Sequence, residues 1–169
     1  MALRQMYLRL KDKLPAGAEV VLVMRGRGND KRAFSKELLD EFDGYKKGCS
    51  PGAGFDSAIH YAWARSGFAE RFTRQIKGSE AAMGRLRALC ERAKSRDVLL
   101  VCYEGYDKPC HRKILLQIAE EELGADVDAS PSLPHAQSSA WSERAERTRH
   151  RPAAAVIRAV LCRCHRVRV

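Results

Sequence analysis

The chain has 169 residues and carries 31 Lys and Arg against 21 Asp and Glu, a formal net charge of +10. This length is sufficient for one domain with a hydrophobic core. No apolar run approaches the ~18 residues that a membrane span requires, and the charged N-terminal segment lacks the apolar stretch of a secretory signal. We therefore expect a cytoplasmic protein with no membrane association.

The positive charge is distributed unevenly along the chain. Residues 1–130 contain 23 Lys and Arg against 19 Asp and Glu, whereas residues 131–169 contain 8 against 2. The last segment is also rich in Ser, Pro and Ala and shows no helical stripe long enough to dock on a core, which favours disorder. We predict an α/β domain over 1–130 and a basic, poorly structured tail over 131–169.

The N-terminal third contains one ambiguous segment and one clear strand. Apolar residues recur every three to four positions from Leu3 to Leu14, which fits a short amphipathic helix better than a strand-like arm. Glu19 to Met24 is an unbroken, β-branched run and predicts a strand. A glycine-rich basic loop follows, from Arg25 to Arg32, without the pattern of a phosphate-binding P-loop. It is either a solvated turn or a segment that places Arg25 at the carboxyl end of the sheet.

The middle of the chain predicts a series of helices. Ser35 is a suitable N-cap for a helix from Lys36 to about Phe42, which Gly44 is expected to end. Apolar and aromatic residues from position 55 onward predict two short helices broken near Gly67. Aromatic residues at this spacing are more often part of a core than of a base-stacking surface. A further helix is predicted over 80–94.

The stretch from Val98 to Ala119 is the centre of the predicted fold. An apolar run over 98–101 indicates a strand buried on both faces. A polar loop follows, Pro109 marks a helix start, and apolar residues recur at helical spacing up to Ala119. With the other elements, this strand, loop and helix predict a single three-layer α/β domain with a small, mostly parallel sheet and flanking helices.

The predicted corner between this strand and helix concentrates reactive side chains. Open α/β folds bind ligands at the carboxyl ends of their strands, and here that corner carries Cys102, Glu104, Cys110, His111 and Arg112. A thiol in the first turn of a helix has a lowered pKa, because the helix dipole and free N–H groups stabilise the thiolate. We therefore expect Cys110 to be a nucleophile, with Glu104 as general base or orienting group and His111 beside it.

The same corner offers groups for an anionic ligand. Arg112 presents a planar fork that matches a carboxylate or phosphate, and Arg25 would face the same pocket if its strand lies beside the central one. Cys102 would be a second thiol in this site or a core residue. The alternative is structural: a buried Glu104–Arg112 ion pair that stabilises the loop, with both cysteines inert.

Two known site types fit the sequence poorly. Phosphatase-like and sulfurtransferase-like loops place an Arg about six residues after the nucleophilic Cys, but the sixth residue after Cys102 is Lys108. A zinc set would have to be assembled from Cys102, Cys110, His111 and a remote Cys49 or tail residue, without any Cys-x-x-Cys pair. We therefore expect no metal site.

The strand Val98-Leu-Leu-Val-Cys-Tyr-Glu, followed after a short loop by Cys110-His-Arg at a helix start, resembles the domain-of-unknown-function family 488 (DUF488). An early strand ending in Arg25 and the segment around Trp63 and Gly67-Phe68 are similar to other parts of that family. The resemblance extends over roughly residues 5–128. It implies a compact α/β domain with this motif at a sheet edge, and it implies no particular reaction.

The leading functional hypothesis is a small enzyme that binds an anion or nucleotide at the Cys/Glu/His/Arg corner. A nucleotide, a nucleic-acid base or a phosphorylated metabolite is the expected ligand class. The alternative is a nucleic-acid-binding accessory protein that uses the basic loop Arg25–Arg32 and the arginine-rich tail, with the corner motif structural. The sequence assigns no cofactor and no oligomeric state.

Overall fold

The computed structural model describes residues 1–25, 34–50 and 54–130. Within them lie four strands that form one sheet, with the order β2-β3-β1-β4. The strands are β1 (Leu3–Tyr7), β2 (Glu19–Leu22), β3 (Val98–Cys102) and β4 (Val127–Asp128). All three strand pairings in this sheet are parallel, so the predicted α/β class is confirmed.

Five α-helices and one 3-10 helix connect the strands. The 3-10 helix Leu8–Lys13 follows β1, and four α-helices separate β2 from β3: α1 (Lys36–Lys47), α2 (Ala58–Arg65), α3 (Phe68–Lys77) and α4 (Glu80–Ala93). The last helix, α5 (His111–Leu123), leads from β3 to β4. None of the helices in the described part of the chain has the length and apolar character needed to cross a membrane.

Strand β3 is the centre of the sheet and is buried at all five residues, so both of its faces are covered. Helices α4 and α5 pack on one of these faces. Arg92 of α4 binds Glu19 at 3.0 Å, and Arg112 of α5 binds Gln5 at 3.1 Å. Glu19 and Gln5 pair with alternate residues of β3, and alternate residues of a strand point to the same side. Because β3 ends at Cys102 and α5 begins at His111, the carboxyl edge of the sheet lies next to the start of α5.

Several predicted elements are confirmed at the residues that define them. Ser35 and Ser79 cap α1 and α4 by accepting hydrogen bonds from Leu38 N and Ala82 N. The break between α2 and α3 falls at Gly67, whose φ of +59° favours glycine. Gly124 ends α5 in the same left-handed conformation, with φ +60°. The strand that precedes Arg25 pairs directly with β3, which is the alternative in which Arg25 lies at the carboxyl end of the sheet.

The helix predicted from Leu3 to Leu14 is wrong. Its first five residues form β1, which lies between β3 and β4, and the next six form the 3-10 helix. The apolar spacing misleads because Leu3 and Met6, on opposite faces of the strand, are both fully buried. Strand pairing on both sides satisfies the backbone of this segment, and this tertiary contribution overrides its helical pattern.

The predicted end of α1 at Gly44 is also wrong, since the helix continues to Lys47. A glycine inside a helix costs only about 0.5–1 kcal/mol. The added turn places Tyr45 against Tyr61 of α2, with ring centroids 6.4 Å apart. The N–H of Gly48 then closes the helix on the carbonyl oxygen of Gly44. This extra turn also brings Lys46 to the site described below.

The tail predicted over 131–169 and most of the basic loop, residues 26–33, lie outside the described residues. The predictions made for them therefore stay predictions. Arg25 and Phe34, which flank that loop, are described.

Candidate functional site

Three potential ligand or nucleophile atoms converge where β3 ends and α5 begins. Cys102 is the last residue of β3, Cys110 is the N-cap residue of α5, and His111 is its first residue. The Cys102 and Cys110 sulfur atoms and a ring nitrogen of His111 all lie within 4.8 Å of one another. His111 Nδ1 is 3.9 Å from the sulfur of Cys102 and 3.8 Å from that of Cys110. The predicted corner thus forms a compact cluster.

The orientation of the His111 ring is fixed by its second nitrogen. Nε2 lies 2.9 Å from the carbonyl oxygen of Val23, in a buried contact. Since a carbonyl oxygen only accepts hydrogen bonds, Nε2 must carry the proton. Phe34 and Phe72 pack edge-on against the ring, with centroids 4.9 and 5.7 Å away. Nδ1 is therefore held near the Cys110 sulfur, whereas the Cys102 sulfur is almost equally distant from Nδ1 and Nε2, at 3.9 and 4.0 Å.

Cys102 is the thiol that this environment ionises. The hydrogen bond from the Cys110 thiol lowers the pKa of Cys102, as do the His111 ring and the backbone N–H of Glu104. Burial acts in the opposite direction, but the hydrogen bonds dominate, and the pKa of Cys102 is lowered to about 4. These interactions favour the thiolate form of Cys102.

Cys110 shows the opposite behaviour from the one we expected. We predicted that the helix N-terminus would lower its pKa. In the structure the pKa of Cys110 is raised well above that of an ordinary thiol, because it forms the hydrogen bond with Cys102, is buried, and faces the negative charge of Cys102. The guanidinium of Arg112, 3.7 Å from the Cys110 sulfur, favours ionisation but does not offset these effects. Of the two thiols, Cys102 is the one whose pKa is lowered, and that of Cys110 is raised.

Arg112 is fully buried, and its guanidinium serves the loop between β3 and α5. It donates to the carbonyl oxygen of Glu104 at 2.6 Å, to that of Gly105 at 3.1 Å, and to the side chain of Gln5 at 3.1 Å. It also lies over the ring of Tyr106, 5.3 Å from its centroid. The acceptor that Glu104 offers to Arg112 is thus its backbone oxygen, so the two residues are linked through the main chain.

The carboxyl group of Glu104 interacts electrostatically with Cys102 of the cluster. Burial raises the pKa of the Glu104 carboxyl, and the negative charge of Cys102 raises it further. The positive charges of Lys46 and Arg112 act in the opposite direction without cancelling the shift. A carboxyl group in this state exchanges a proton more readily near neutral pH than an exposed one, which suits a general acid or base.

A cavity of about 220 Å³ lies in front of the cluster. Its walls are mainly aromatic and aliphatic, and charged residues stand among them. The lining comprises Met24, Arg25, Phe34, Leu39, Phe42, Asp43, Lys46, Ile59, Trp63, Phe68, Cys102, Tyr103, Glu104, Pro109, Cys110 and His111. Apolar walls with a few convergent polar groups are typical of small-molecule sites.

The structure brings five of the six sequence-predicted site residues to this cavity. Cys102, Glu104, Cys110, His111 and Arg25 line it. Arg25 is exposed, and its guanidinium donates to the carbonyl oxygen of Phe34 at 3.0 Å. The sixth residue, Arg112, was predicted to bind an anion. It is buried instead and donates hydrogen bonds to the loop between β3 and α5.

Sequence reasoning missed other residues of the cavity. Trp63 and Phe68 stack with centroids 4.5 Å apart and an interplanar angle of 18°. Phe68 belongs to the core, as expected for aromatic residues of that region, and Trp63 packs against it, but their place in the cavity wall was not predicted. Lys46 and Asp43 were missed because α1 was expected to end too early. The backbone oxygen of Val23, which orients His111, carries no signal in the sequence.

The fold and the cluster together define an α/β protein with a thiol-containing site at the carboxyl edge of a parallel sheet. Residues 8–123 match the model of the DUF488-N3a family, described as the active DUF488-N3 subclade, and the chain belongs to this family. The resemblance to DUF488 is thereby confirmed. No curated protein matches the chain, and no solved structure does.

Proposed function

We propose that this protein is a thiol-dependent enzyme that acts on a small anionic ligand of the nucleotide class. Cys102 is its nucleophile, and the ligand occupies the cavity in front of it. The observation that carries the proposal is the position of the Cys102 sulfur. It lines an apolar cavity and is flanked by a thiol donor and an imidazole.

The neighbours of Cys102 supply the remaining roles. Cys110 donates a hydrogen bond to the thiolate of Cys102, and the neighbouring ring of His111 also lowers the pKa of Cys102. When the sulfur of Cys102 bonds to an electrophilic atom of the ligand, the bond between that atom and the leaving group breaks, and the leaving group needs a proton. Glu104, whose carboxyl pKa is raised by burial and by the charge of Cys102, supplies it and later takes a proton from the second reactant, which displaces the sulfur of Cys102.

The lining favours a ligand with a flat ring and a negative group. Trp63, which stacks on the buried ring of Phe68, is a half-buried aromatic side chain of the lining, and the face of a nucleobase or a similar ring packs well against such a side chain. Lys46 and Arg25 are exposed cations in the same lining, positioned for a phosphate or carboxylate. The description of the family as an active subclade agrees with an enzymatic role.

Ligand protection of Cys102 tests the proposal. The full-length protein is treated with iodoacetamide, with EDTA present, alone and with each nucleoside 5′-monophosphate, and modified cysteines are mapped by mass spectrometry. We expect at least one nucleotide to slow the modification of Cys102 while leaving the modification of half-exposed Cys49 unchanged. If Cys102 resists iodoacetamide in the unliganded protein, it is not the nucleophile. If no nucleotide protects it, the ligand class is wrong.

A further inference from the structure

We propose that Cys102, Cys110 and His111 form a binding site for a thiophilic divalent cation of the Zn²⁺ type at the floor of the cavity. The inference concerns the same site as the proposed function. It adds a cation that occupies the reactive sulfur and thereby regulates the enzyme. The sequence led us to expect no metal site, because the pattern lacks a Cys-x-x-Cys pair, but the fold brings the three donors together.

The separations between the donor atoms suit a tetrahedral ion. Zinc binds sulfur at about 2.3 Å and imidazole nitrogen at about 2.0–2.1 Å, so neighbouring donors of one tetrahedron lie about 3.5–3.8 Å apart. His111 Nδ1 is 3.8 and 3.9 Å from the two sulfur atoms. All three donor atoms lie within 4.8 Å of one another. Side-chain shifts of a fraction of an ångström would close the set around an ion.

The surroundings of His111 match those of a metal-bound imidazole. Metal-ligating histidines almost always donate their other ring N–H to a carbonyl or carboxylate, which fixes the ring. Here Nε2 is 2.9 Å from the carbonyl oxygen of Val23, and Nδ1 is the nitrogen left for the ion. The three donor side chains are buried, at 2–4% exposure, so water competes weakly for the ion.

The fourth position of such an ion would face the cavity, because all three donors line it. Two sulfur ligands and one histidine, with a fourth position left open, is a known zinc arrangement. Binding requires Cys110 to lose its proton, after which the ion balances the charge of two thiolates. While it is bound, the sulfur of Cys102 is unavailable to an electrophile.

A titration with Co²⁺, whose tetrahedral thiolate complexes are coloured, tests the site. The reduced full-length protein is stripped of metal, titrated with Co²⁺ and then with Zn²⁺. We expect one Co²⁺ per chain at this site, sulfur-to-cobalt charge-transfer bands, and displacement by Zn²⁺. The variants C102S and C110S should each raise the dissociation constant about tenfold or more, since the loss of even an outer-shell partner costs about 10- to 100-fold.

The tail supplies the matched control, because it contains a second cysteine pair with an adjacent histidine, Cys162, Cys164 and His165. The double variant C162S/C164S should keep the tetrahedral bands. If the bands instead disappear in this variant and persist in C102S and C110S, the proposal is overturned. Circular dichroism verifies that each variant is folded.

A second measurement keeps the proposal testable if the serine variants do not fold. In the unmodified protein, Zn²⁺ should slow the alkylation of Cys102 by iodoacetamide at least tenfold, and EDTA should restore the rate. Rapid alkylation with Zn²⁺ present would overturn the metal site and leave the proposed thiol enzyme intact. An inert Cys102 in EDTA, together with Co²⁺ binding that depends on Cys102 and Cys110, would overturn the enzyme proposal alone.

Discussion

Two neighbouring residues in the first turn of α5 have opposite environments. His111 turns its ring toward two sulfur atoms and a cavity, whereas Arg112 turns its guanidinium toward backbone oxygens of the loop that precedes the helix. Both side chains are buried, at 4% and 0% exposure. Burial therefore does not distinguish a reactive group from a structural one here, and the identity of the partners does.

The groups that surround Arg112 and those that surround Cys102 differ in whether they can ionise. The shorter hydrogen bonds of Arg112 go to two backbone oxygens and to Gln5, its contact with the Cys110 sulfur is longer at 3.7 Å, and its charge stabilises the loop over residues 103–109. Cys110 and His111, which neighbour Cys102, are themselves ionisable. They lower the pKa of Cys102, whose side chain lines the cavity. We infer that Arg112 stabilises the loop that shapes the site and that Cys102 is the reactive group within the site.

The largest expected effect comes from removing the loop arginine. In Arg112→Met, the backbone oxygens of Glu104 and Gly105 lose the hydrogen bonds that Arg112 donates. Each unsatisfied buried group costs about 1–3 kcal/mol, and partial hydration of the loop reduces the sum, so we expect a loss of about 2–4 kcal/mol in unfolding free energy, measured by urea denaturation.

Arg92→Met is the matched control for that substitution. Arg92 pairs with Glu19 at 3.0 Å, but both side chains are substantially exposed, at 40% and 25%, so its loss should cost about 0–1 kcal/mol. If Arg112→Met keeps the stability of the parent and loses nucleotide protection of Cys102, then Arg112 contacts the ligand, as its position in the sequence suggested.

The second expected effect concerns the pH dependence of Cys102 in the metal-free protein. Because its folded-state pKa is lowered to about 4, the thiolate is present throughout pH 5.5–8 and is lost only as the pH falls through about 4. The rate of iodoacetamide modification of Cys102 should therefore vary by less than about twofold over pH 5.5–8. An ordinary thiol, with a pKa near 8.5, gains about tenfold per pH unit over most of this range.

N-acetylcysteine under the same conditions provides the ordinary reference, and Cys110→Ala provides the internal one. Removing the Cys110 thiol takes away the largest contribution to the lowered pKa of Cys102, so the loss of reactivity should move to higher pH. A profile for the parent protein that rises steeply through pH 8 would mean that Cys102 is an inert core thiol.

A smaller effect is expected at the rim of the cavity. Lys46 lines the cavity, and Lys47 is equally exposed on the next position of α1 without lining it. An exposed ion pair contributes about 0.2–1 kcal/mol. Lys46→Gln should therefore weaken the best protecting nucleotide up to about fivefold, measured as the concentration that halves the modification rate of Cys102. Equal losses in Lys46→Gln and Lys47→Gln would indicate a general charge effect instead of a contact.

The sequence predicted the corner because each of its parts has a local signal. The apolar run of β3, the helical spacing of α5 and the left-handed Gly124 are properties of neighbouring residues. The strand β1 was missed because its pairing with β3 and β4 joins residues almost a hundred or more positions apart. Local patterns do not report such pairing.

The identity of the activated thiol was missed for a related reason. Proximity to a helix start is visible in the sequence and favours Cys110. The hydrogen bond by which Cys110 stabilises Cys102 depends on how β3 and α5 meet, as does the contact of His111 with Val23. A rule about helix ends therefore led to this corner but predicted a lowered pKa for Cys110, whereas the lowered pKa is that of Cys102.

The smallest expected effect concerns Glu104 and Asp107, two acidic residues of the same loop. Their pKa shifts have opposite directions, so their contributions to stability depend on pH with opposite signs. The folded-state pKa of Glu104 is raised by burial and by Cys102, so its stabilising contribution is present below the unfolded pKa and is lost as the pH rises through the folded one. The pKa of exposed Asp107 is lowered by a hydrogen bond with Lys108, so its contribution is present above the unfolded pKa and is lost as the pH falls. Relative to the parent, Glu104→Gln should gain stability between pH 4 and pH 7.5, whereas Asp107→Asn should lose stability or stay unchanged.

Urea denaturation of both variants at the two pH values measures this difference, which for Glu104→Gln should be below about 1 kcal/mol. A gain for Glu104→Gln that is accompanied by slower enzymatic turnover would show that the fold tolerates an unfavourable charge beside Cys102 because the reaction needs it. A loss of stability in Glu104→Gln at pH 7.5 would instead place Glu104 with Arg112 among the residues that hold the loop.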